Sequence, residues 1–209
     1  MKNNILFKLL LISIVFIISC QKEKQNILKL PKSVDIDAII ETVIYSDSLP
    51  ILSNLKSTKP IPFCVDLKKI KMIQWNAKTN KIHPRVRFNE TTIQKLIGYE
   101  NLPSKYFFFN KTDSLYIQFQ NENLINYKIS KSVSDKFLTT NFELIKKQKT
   151  NEQFIYTYST IPIISLNGKK AYLELSIKCI GLCGTGYEIY LEKINGKWII
   201  SNCRKAWES

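Results

Sequence analysis

Three glutamates near the end of the chain have a spacing that two-carboxylate chemistry could use. Glu174 lies in Ala171-Tyr172-Leu173-Glu174-Leu175-Ser176-Ile177, and Glu188 and Glu192 lie in Tyr187-Glu188-Ile189-Tyr190-Leu191-Glu192. Alternation places every second residue of a strand on one face, so these glutamates share the polar faces of neighbouring strands with Tyr172 and Tyr190. Two carboxyl groups facing each other across a cleft can serve glycoside hydrolysis, one as acid and the other as nucleophile or base. Glu174 and Glu192 are the pair such a hydrolase would use. Lys178 and Lys193 stand nearby, however, and the commoner outcome of this pattern is a set of solvated cross-strand ion pairs.

The other reactive types are sparse. His83 is the only histidine, in Ile82-His83-Pro84-Arg85-Val86-Arg87. With no Gly-x-Ser-x-Gly elbow anywhere in the chain, a serine triad has no nucleophile to build on. Arg85 and Arg87, two apart on one strand face, could hold a carboxylate or phosphate, although a solvated basic face explains them as well. The run from Cys179 to Gly186 is glycine-rich but lacks the lysine and hydroxyl residue of a phosphate loop. Its cysteines are one residue too far apart for a thioredoxin-like pair. A tight β-connection, with glycines allowing positive φ and cysteines stapling it, accounts for all of these features. Tyr106 to Phe109 is aromatic throughout, which suits a core before it suits a ligand groove. No cofactor motif and no metal-ligand spacing is present.

The start of the chain carries a different chemistry. Lys2 and Lys8 precede an apolar run, Leu9 to Ile18, broken only by Ser13. This is a secretory signal, too short for the roughly 20 residues that cross a bilayer as a helix. Its ending, Ile17-Ile18-Ser19-Cys20, resembles a bacterial lipobox. The resemblance implies cleavage before Cys20, diacylglycerol on its sulfur and an acylated (typically palmitate-bearing) amino terminus, a stable anchor without a spanning helix. Gln21-Lys22-Glu23 resembles the short post-cysteine signals of some bacteroidete lipoproteins, which implies an outer-membrane address in the cell envelope.

Beyond residues 1–19, residues 20–32 read as a polar tether and 33–209 as a single domain, long enough for a proper core. The formal charge is +14; losing Lys2 and Lys8 with the signal leaves +12. Such a charge suits lipid head groups or acidic polymers. Only Arg85, Arg87 and Arg204 are arginines, and lysine-dominated charge on an exported chain argues against nucleic-acid recognition.

With Cys20 set aside, Cys64, Cys179, Cys183 and Cys203 form an even set in an oxidising compartment, which favours disulfides. Three pairings exist. Alternation places Cys179 on the core side with Leu173, Leu175 and Ile177. Across the Asn195-Gly196 turn, Leu191 pairs with Ile200, which puts Cys203 on the opposite face with Ile199 and Ser201. The preferred pairing is therefore Cys179–Cys183 with Cys64–Cys203.

Helical spacing of Ile36, Ile40, Val43 and Ile44 predicts a helix over Val34–Tyr45 with Ser33 as N-cap. Lys68–Ile73 could form a strand, and a second helix is expected over Glu90–Tyr99 between Asn89 and Gly98. Lys105–Phe109 and Leu115–Gln120 read as a hairpin about Asn110-Lys111-Thr112-Asp113, and Ser132–Leu144 as a short helix over the sheet edge. Strands are expected at Phe154–Tyr158 and Ala171–Cys179, and a hairpin pairs Tyr187–Ile194 with Lys197–Cys203 through Asn195-Gly196. The sum is an α+β domain, N-terminal helices packed on an antiparallel, C-terminally strand-rich sheet.

Tyr158-Ser159 with Pro162, the run Cys179-Ile180-Gly181-Leu182-Cys183-Gly184, then Asn195-Gly196-Lys197-Trp198, and finally Trp207 and Ser209 resemble the tails of a group of small uncharacterised bacteroidete lipoproteins. The likeness covers about residues 155 to 209. It departs at Ile180, where the group has glycine, and at Glu208, where it has isoleucine. Strand-rich tails ending in Gly-Lys-Trp hairpins also resemble NTF2-like cones, which implies that fold here. Together these readings lead to a lipid-anchored envelope protein that binds a protein, glycan or small molecule through the sheet face beneath its N-terminal helices. A polymer-acting hydrolase and a protective, immunity-type lipoprotein are the alternatives.

Overall fold

The computed structural model describes residues 28–46, 60–73, 90–97, 107–148, 154–179 and 184–208. Helix α1 (Ser33–Tyr45) is followed by four short strands, β1 (Phe63–Cys64), β2 (Asp66–Lys68), β3 (Lys71–Ile73) and β4 (Glu90–Thr92). Then come α2 (Ile93–Ile97), a 3-10 turn (Lys111–Asp113), α3 (Ser114–Asn123), β5 (Asn126–Lys128), α4 (Lys131–Ser134), β6 (Thr139–Thr140) and α5 (Phe142–Lys147). The chain closes with β7 (Ile155–Ser159), β8 (Ile163–Ile164) and the long strands β9 (Lys170–Cys179), β10 (Gly184–Ile194) and β11 (Lys197–Glu208). This is a mixed α+β fold whose main sheet runs β11-β10-β9-β7-β1-β6, with β8 also on β9. The β11, β10, β9 and β7 ladders are antiparallel, and β1 joins β7 and β6 in parallel.

The long hairpin follows from its turn. Asn195 and Gly196 both take positive φ (51° and 80°), as a two-residue type I′ turn requires. Leu191 faces Ile200 across it as expected, but two bulges follow in β11. Tyr190 pairs with Asn202, leaving Ser201 unpaired, and its hydroxyl donates to the Tyr190 carbonyl at 3.1 Å. One extra residue turns every later side chain to the other face. Cys203 therefore packs against the same core as Leu191, Ile189 and Ile200, not on the opposite face.

That core lies between α1 and one face of the sheet. Ile36, Ile39, Ile40 and Val43 of α1 are essentially inaccessible and meet Ala171, Leu173, Leu175, Ile189 and Leu191. Each such aliphatic side chain contributes about 1.5–3 kcal/mol by leaving water. Among the described residues, the sheet face beneath α1 is thus filled by the helix. Asp37, on the edge of α1, is buried and accepts hydrogen bonds from Tyr127 Oη (3.0 Å) and the Ser130 amide (3.3 Å).

A second layer covers part of the opposite face. Leu96 of α2, Phe109 and Ile117 of α3 close over Ile163, Tyr172 and Tyr190. Here the sequence reading needs correction. Leu115–Gln120 belongs to a helix, because Tyr116, Ile117 and Gln120 are its buried side. Asn110 and Asp113 form a capping box ahead of it, and Gln120 satisfies Ile164 on both sides, donating to its carbonyl at 2.6 Å and accepting from its amide at 3.0 Å. Glu90–Thr92 is a strand parallel to β3, so the second helix begins only at Ile93. The expected Lys68–Ile73 strand is split at Lys69-Ile70, and Ser132–Leu144 divides into two short helices around β6. Lys32, rather than Ser33, is the N-cap of α1.

Candidate functional site

Glu174 and Glu188 face each other directly across β9 and β10. Residues directly opposite in an antiparallel pair have Cα atoms about 4.5–5.5 Å apart. Both glutamates are buried, at 5% and 4% exposure, so the expectation of solvated ion pairs fails for them. The reason is the second layer, which turns a nominally polar sheet face into an interior.

Burial is compensated by a connected network. Lys95 of α2 donates to Glu188 Oε1, and Arg204 of β11 donates to Glu188 Oε2. Tyr190 Oη donates to the same Oε2 at 3.3 Å while accepting from Arg204 Nη2 at 2.9 Å. Across the ladder, Tyr172 Oη donates to Glu174 Oε1 at 3.0 Å. The two phenol rings lie 5.1 Å apart, and Phe108 meets the Tyr190 ring edge-on at 5.1 Å. The Glu174 amide donates to Thr160 Oγ1 at 2.9 Å, which joins β9 to the segment after β7.

This geometry sets the protonation states. Burial alone would raise the Glu188 carboxyl, but Lys95 and Arg204 together hold it below the usual glutamate range. Burial and the neighbouring carboxylates push Tyr172 far above the ordinary phenol range, and burial with Glu188 raises Tyr190. A catalytic acid must be protonated and a nucleophile must have a free lone pair aimed at substrate. Glu188 is held ionised, which does not suit an acid, and each of its oxygens already accepts a hydrogen bond from Lys95, Arg204 or Tyr190. Both phenols stay protonated and donate to the glutamates, and Tyr190 also accepts from Arg204. Among the described residues, no group of three or more His, Cys, Asp or Glu is placed to hold a metal.

The same face continues towards the end of β9 and the start of β10. Ser176 and Gly186 occupy the next row, flanked by Tyr158 and Trp207. An added Cβ on Gly186 would fall inside the Trp207 indole, and one on Gly184 would lie 3.1 Å from its ring. Neither glycine takes positive φ, so the conformational role expected of them is replaced by a steric one: they seat Trp207. Along β7, Phe154, Tyr156 and Tyr158 form a ladder of rings about 6 Å apart (6.1 and 5.9 Å). Lys68 and Lys178 lie over the Tyr158 ring at 5.1 and 5.5 Å, and burial with the Lys68 charge lowers the Lys178 pKa.

The remaining sequence candidates are scattered. Glu192 is half-buried opposite Lys170 and Ile199, four residues and about 13 Å along β10 from Glu188, too far to join the pair. Cys20, His83, Arg85, Arg87 and Cys183 lie outside the described residues. Cys179, the last residue of β9, is disulfide-bonded. Cys64 and Cys203 are free thiols, so the expected bond between them is not formed. They sit on β1 and β11, four strand steps or roughly 19 Å apart across the sheet, far beyond disulfide reach. Lys95 and Arg204 were not anticipated. Arg204 comes opposite Glu188 only through the bulge at Ser201, which the sequence does not announce, and no local signal marks Lys95.

Comparison with known proteins leaves the chain on its own: no family model, no curated protein and no solved structure matches it. Among the described residues no helix is long and apolar enough to cross a membrane, which says nothing of a β-barrel.

Proposed function

We propose that this protein is a lipid-anchored component of the bacterial cell envelope whose domain binds rather than catalyses. The observation that carries the second half is the engagement of both Glu188 oxygens by Lys95, Arg204 and Tyr190. The most promising carboxylate pair in the sequence is thereby an internal brace joining α2, β10 and β11. The address rests on the apolar run ending Ile17-Ile18-Ser19-Cys20. The tail resemblance to small bacteroidete lipoproteins accords with the same address.

The contact surface we favour is the aromatic ladder of β7. Phe154 and Tyr156 are half-exposed, and the Lys68 and Lys178 ammonium groups lie over the next ring of the ladder, Tyr158. Rings offer a stacking platform and the lysines neutralise an anion, which together suit a sugar ring carrying a carboxylate. We also read the long strands β9–β11, bent by two bulges against α1, as an NTF2-like cone to which the parallel strands are an addition. The disulfide of Cys179 is assigned to Cys183, because extending the Lys178–Gly184 register by one step would set the two opposite each other.

Mass spectrometry of the native protein under non-reducing conditions tests the address: the expected result is an acyl mass on Cys20 as the mature first residue. An unmodified, cytosolic full-length chain would overturn it. Binding to uronic-acid glycans that is lost in Tyr156→Ala, with no bond cleavage in the product analysis, supports the domain's role; cleavage abolished by Glu188→Gln would overturn the non-catalytic reading.

A further inference from the structure

The end of the domain where the tether arrives has a composition of its own. Leu28–Lys32 lies along the domain as one wall of an open groove of about 520 Å³, whose other side includes Tyr116, Leu166 and Gly168. Tyr116 Oη donates to the Lys29 carbonyl at 2.9 Å and fixes the segment there. The N-terminus of α1, the Ser165–Lys169 turn and the β10–β11 hairpin tip meet at this end. Lys193 ties the hairpin to α1 through Asp35 at 2.9 Å and to the turn through the Lys169 carbonyl at 2.7 Å.

Apolar side chains protrude here: Val34 is 65% exposed, Leu166 53% and Ile194 48%. Around them stand Lys29, Lys32, Lys169 and Lys197, all exposed. Among the described residues none of the four is held by an acid. Elsewhere on the described surface Lys136, Lys146 and Lys205 each pair with a glutamate, while Lys128, Lys131 and Lys147 are exposed singly and without an apolar group clustered as here. Two of the acids at the tether end are already engaged, and Glu192 is half-buried opposite Lys170. Asp35 holds Lys193, and buried Asp113 accepts from the Asn110 and Leu166 amides.

We infer that this end is a docking surface for anionic lipid head groups, lying flat on the membrane with its lysines at the phosphates and its apolar side chains in the interface. The inference rests on the reading of Cys20 as the anchored residue. Eight residue steps separate Cys20 from Leu28, so an acylated Cys20 can stand no more than about 29 Å from the domain. The tether therefore delivers this end, rather than the aromatic ladder, to the bilayer. Protruding apolar groups ringed by lysine are what an interfacial surface needs, because the lysine stems cover apolar area while their charges meet head groups.

The test uses the chain from Gln21 onward, which holds every described element and both cores and carries no acyl group. It is floated with vesicles of phosphatidylglycerol and phosphatidylethanolamine, and with neutral phosphatidylcholine vesicles. Binding to the anionic vesicles alone, weakening with added salt, is expected. Changing Lys29, Lys32, Lys169 and Lys197 to glutamine should reduce partitioning on the order of tenfold or more. Changing Lys136, Lys146, Lys147 and Lys205 to glutamine removes the same charge from elsewhere and should leave partitioning nearly unchanged. Equal losses in the two sets, or no binding to anionic vesicles, would overturn the inference. So would four-lysine-dependent binding to alginate in place of vesicles, which would make the end a polysaccharide surface. The outcome is independent of acylation, which the mass at Cys20 reads separately.

Discussion

Replacing Glu188 with glutamine leaves Lys95 and Arg204 facing a neutral amide in a site built for a carboxylate. Both cations reach solvent in part, so the loss should be about 2 kcal/mol, below the 3–5 kcal/mol of a fully enclosed pair. The pH dependence gives the sign. The folded carboxyl lies below its unfolded value, so its stabilisation is present above the ordinary glutamate range and fades as pH falls through the folded value. Urea midpoints measured from pH 7 down into the acid range should therefore fall more steeply for wild type than for Glu188→Gln; parallel curves would refute the brace. The thiols make a second prediction. Burial pushes Cys64 up to about 11 and also raises Cys203. Iodoacetamide at pH 8 should label Cys203 slowly and Cys64 only after unfolding, as peptide mapping would show. Alternation in the sequence correctly set Glu174 and Glu188 on one face with the tyrosines. It could not reveal their burial, because the layer above them comes from residues some 60–95 positions earlier and no local period encodes that contact.

Elements were legible where the local signal was unopposed. Helix α1 shows its buried stripe in the sequence, and Asn195-Gly196 can hardly be anything but a hairpin turn. Leu115–Gln120 misled because Leu-Tyr-Ile-Gln-Phe-Gln alternates acceptably as a strand, while its helical face of Tyr116, Ile117 and Gln120 includes a polar residue whose purpose appears only beside Ile164. The bulge at Ser201 misled differently, since a strand with one extra residue looks unbroken in sequence yet reverses its faces. Gly186 supplies the element-scale prediction. Gly186→Ala drives a methyl group into the Trp207 ring and should cost about 1–3 kcal/mol, the usual penalty of overpacking, with a shift in tryptophan emission. Trp207→Leu should relieve part of that cost, so the double variant is expected to be more stable than the sum of the singles. Strict additivity would show that the indole is not what the glycine accommodates.

At the scale of the whole molecule, β9 is the partition between two interiors. Its odd residues Ala171, Leu173 and Leu175 enter the core under α1, and Tyr172 enters the smaller one under α2 and α3. Neither interior can open without exposing a strand that the other needs, so the two should melt as one unit although they share no side chains. Leu173→Ala and Tyr172→Ala, adjacent in sequence and pointing to opposite layers, test this. Each side chain is fully buried, and the losses should be about 2–5 kcal/mol for the leucine and about 3–5 kcal/mol for the tyrosine, whose hydroxyl also serves Glu174. Both variants should lower the midpoint of one common urea transition, whether followed by far-UV circular dichroism or by hydrogen exchange in α1 and α3. If Tyr172→Ala instead released α3 early while α1 kept its full protection, the molecule would be two stacked units, and the brace on Glu188 would be what holds the second to the first.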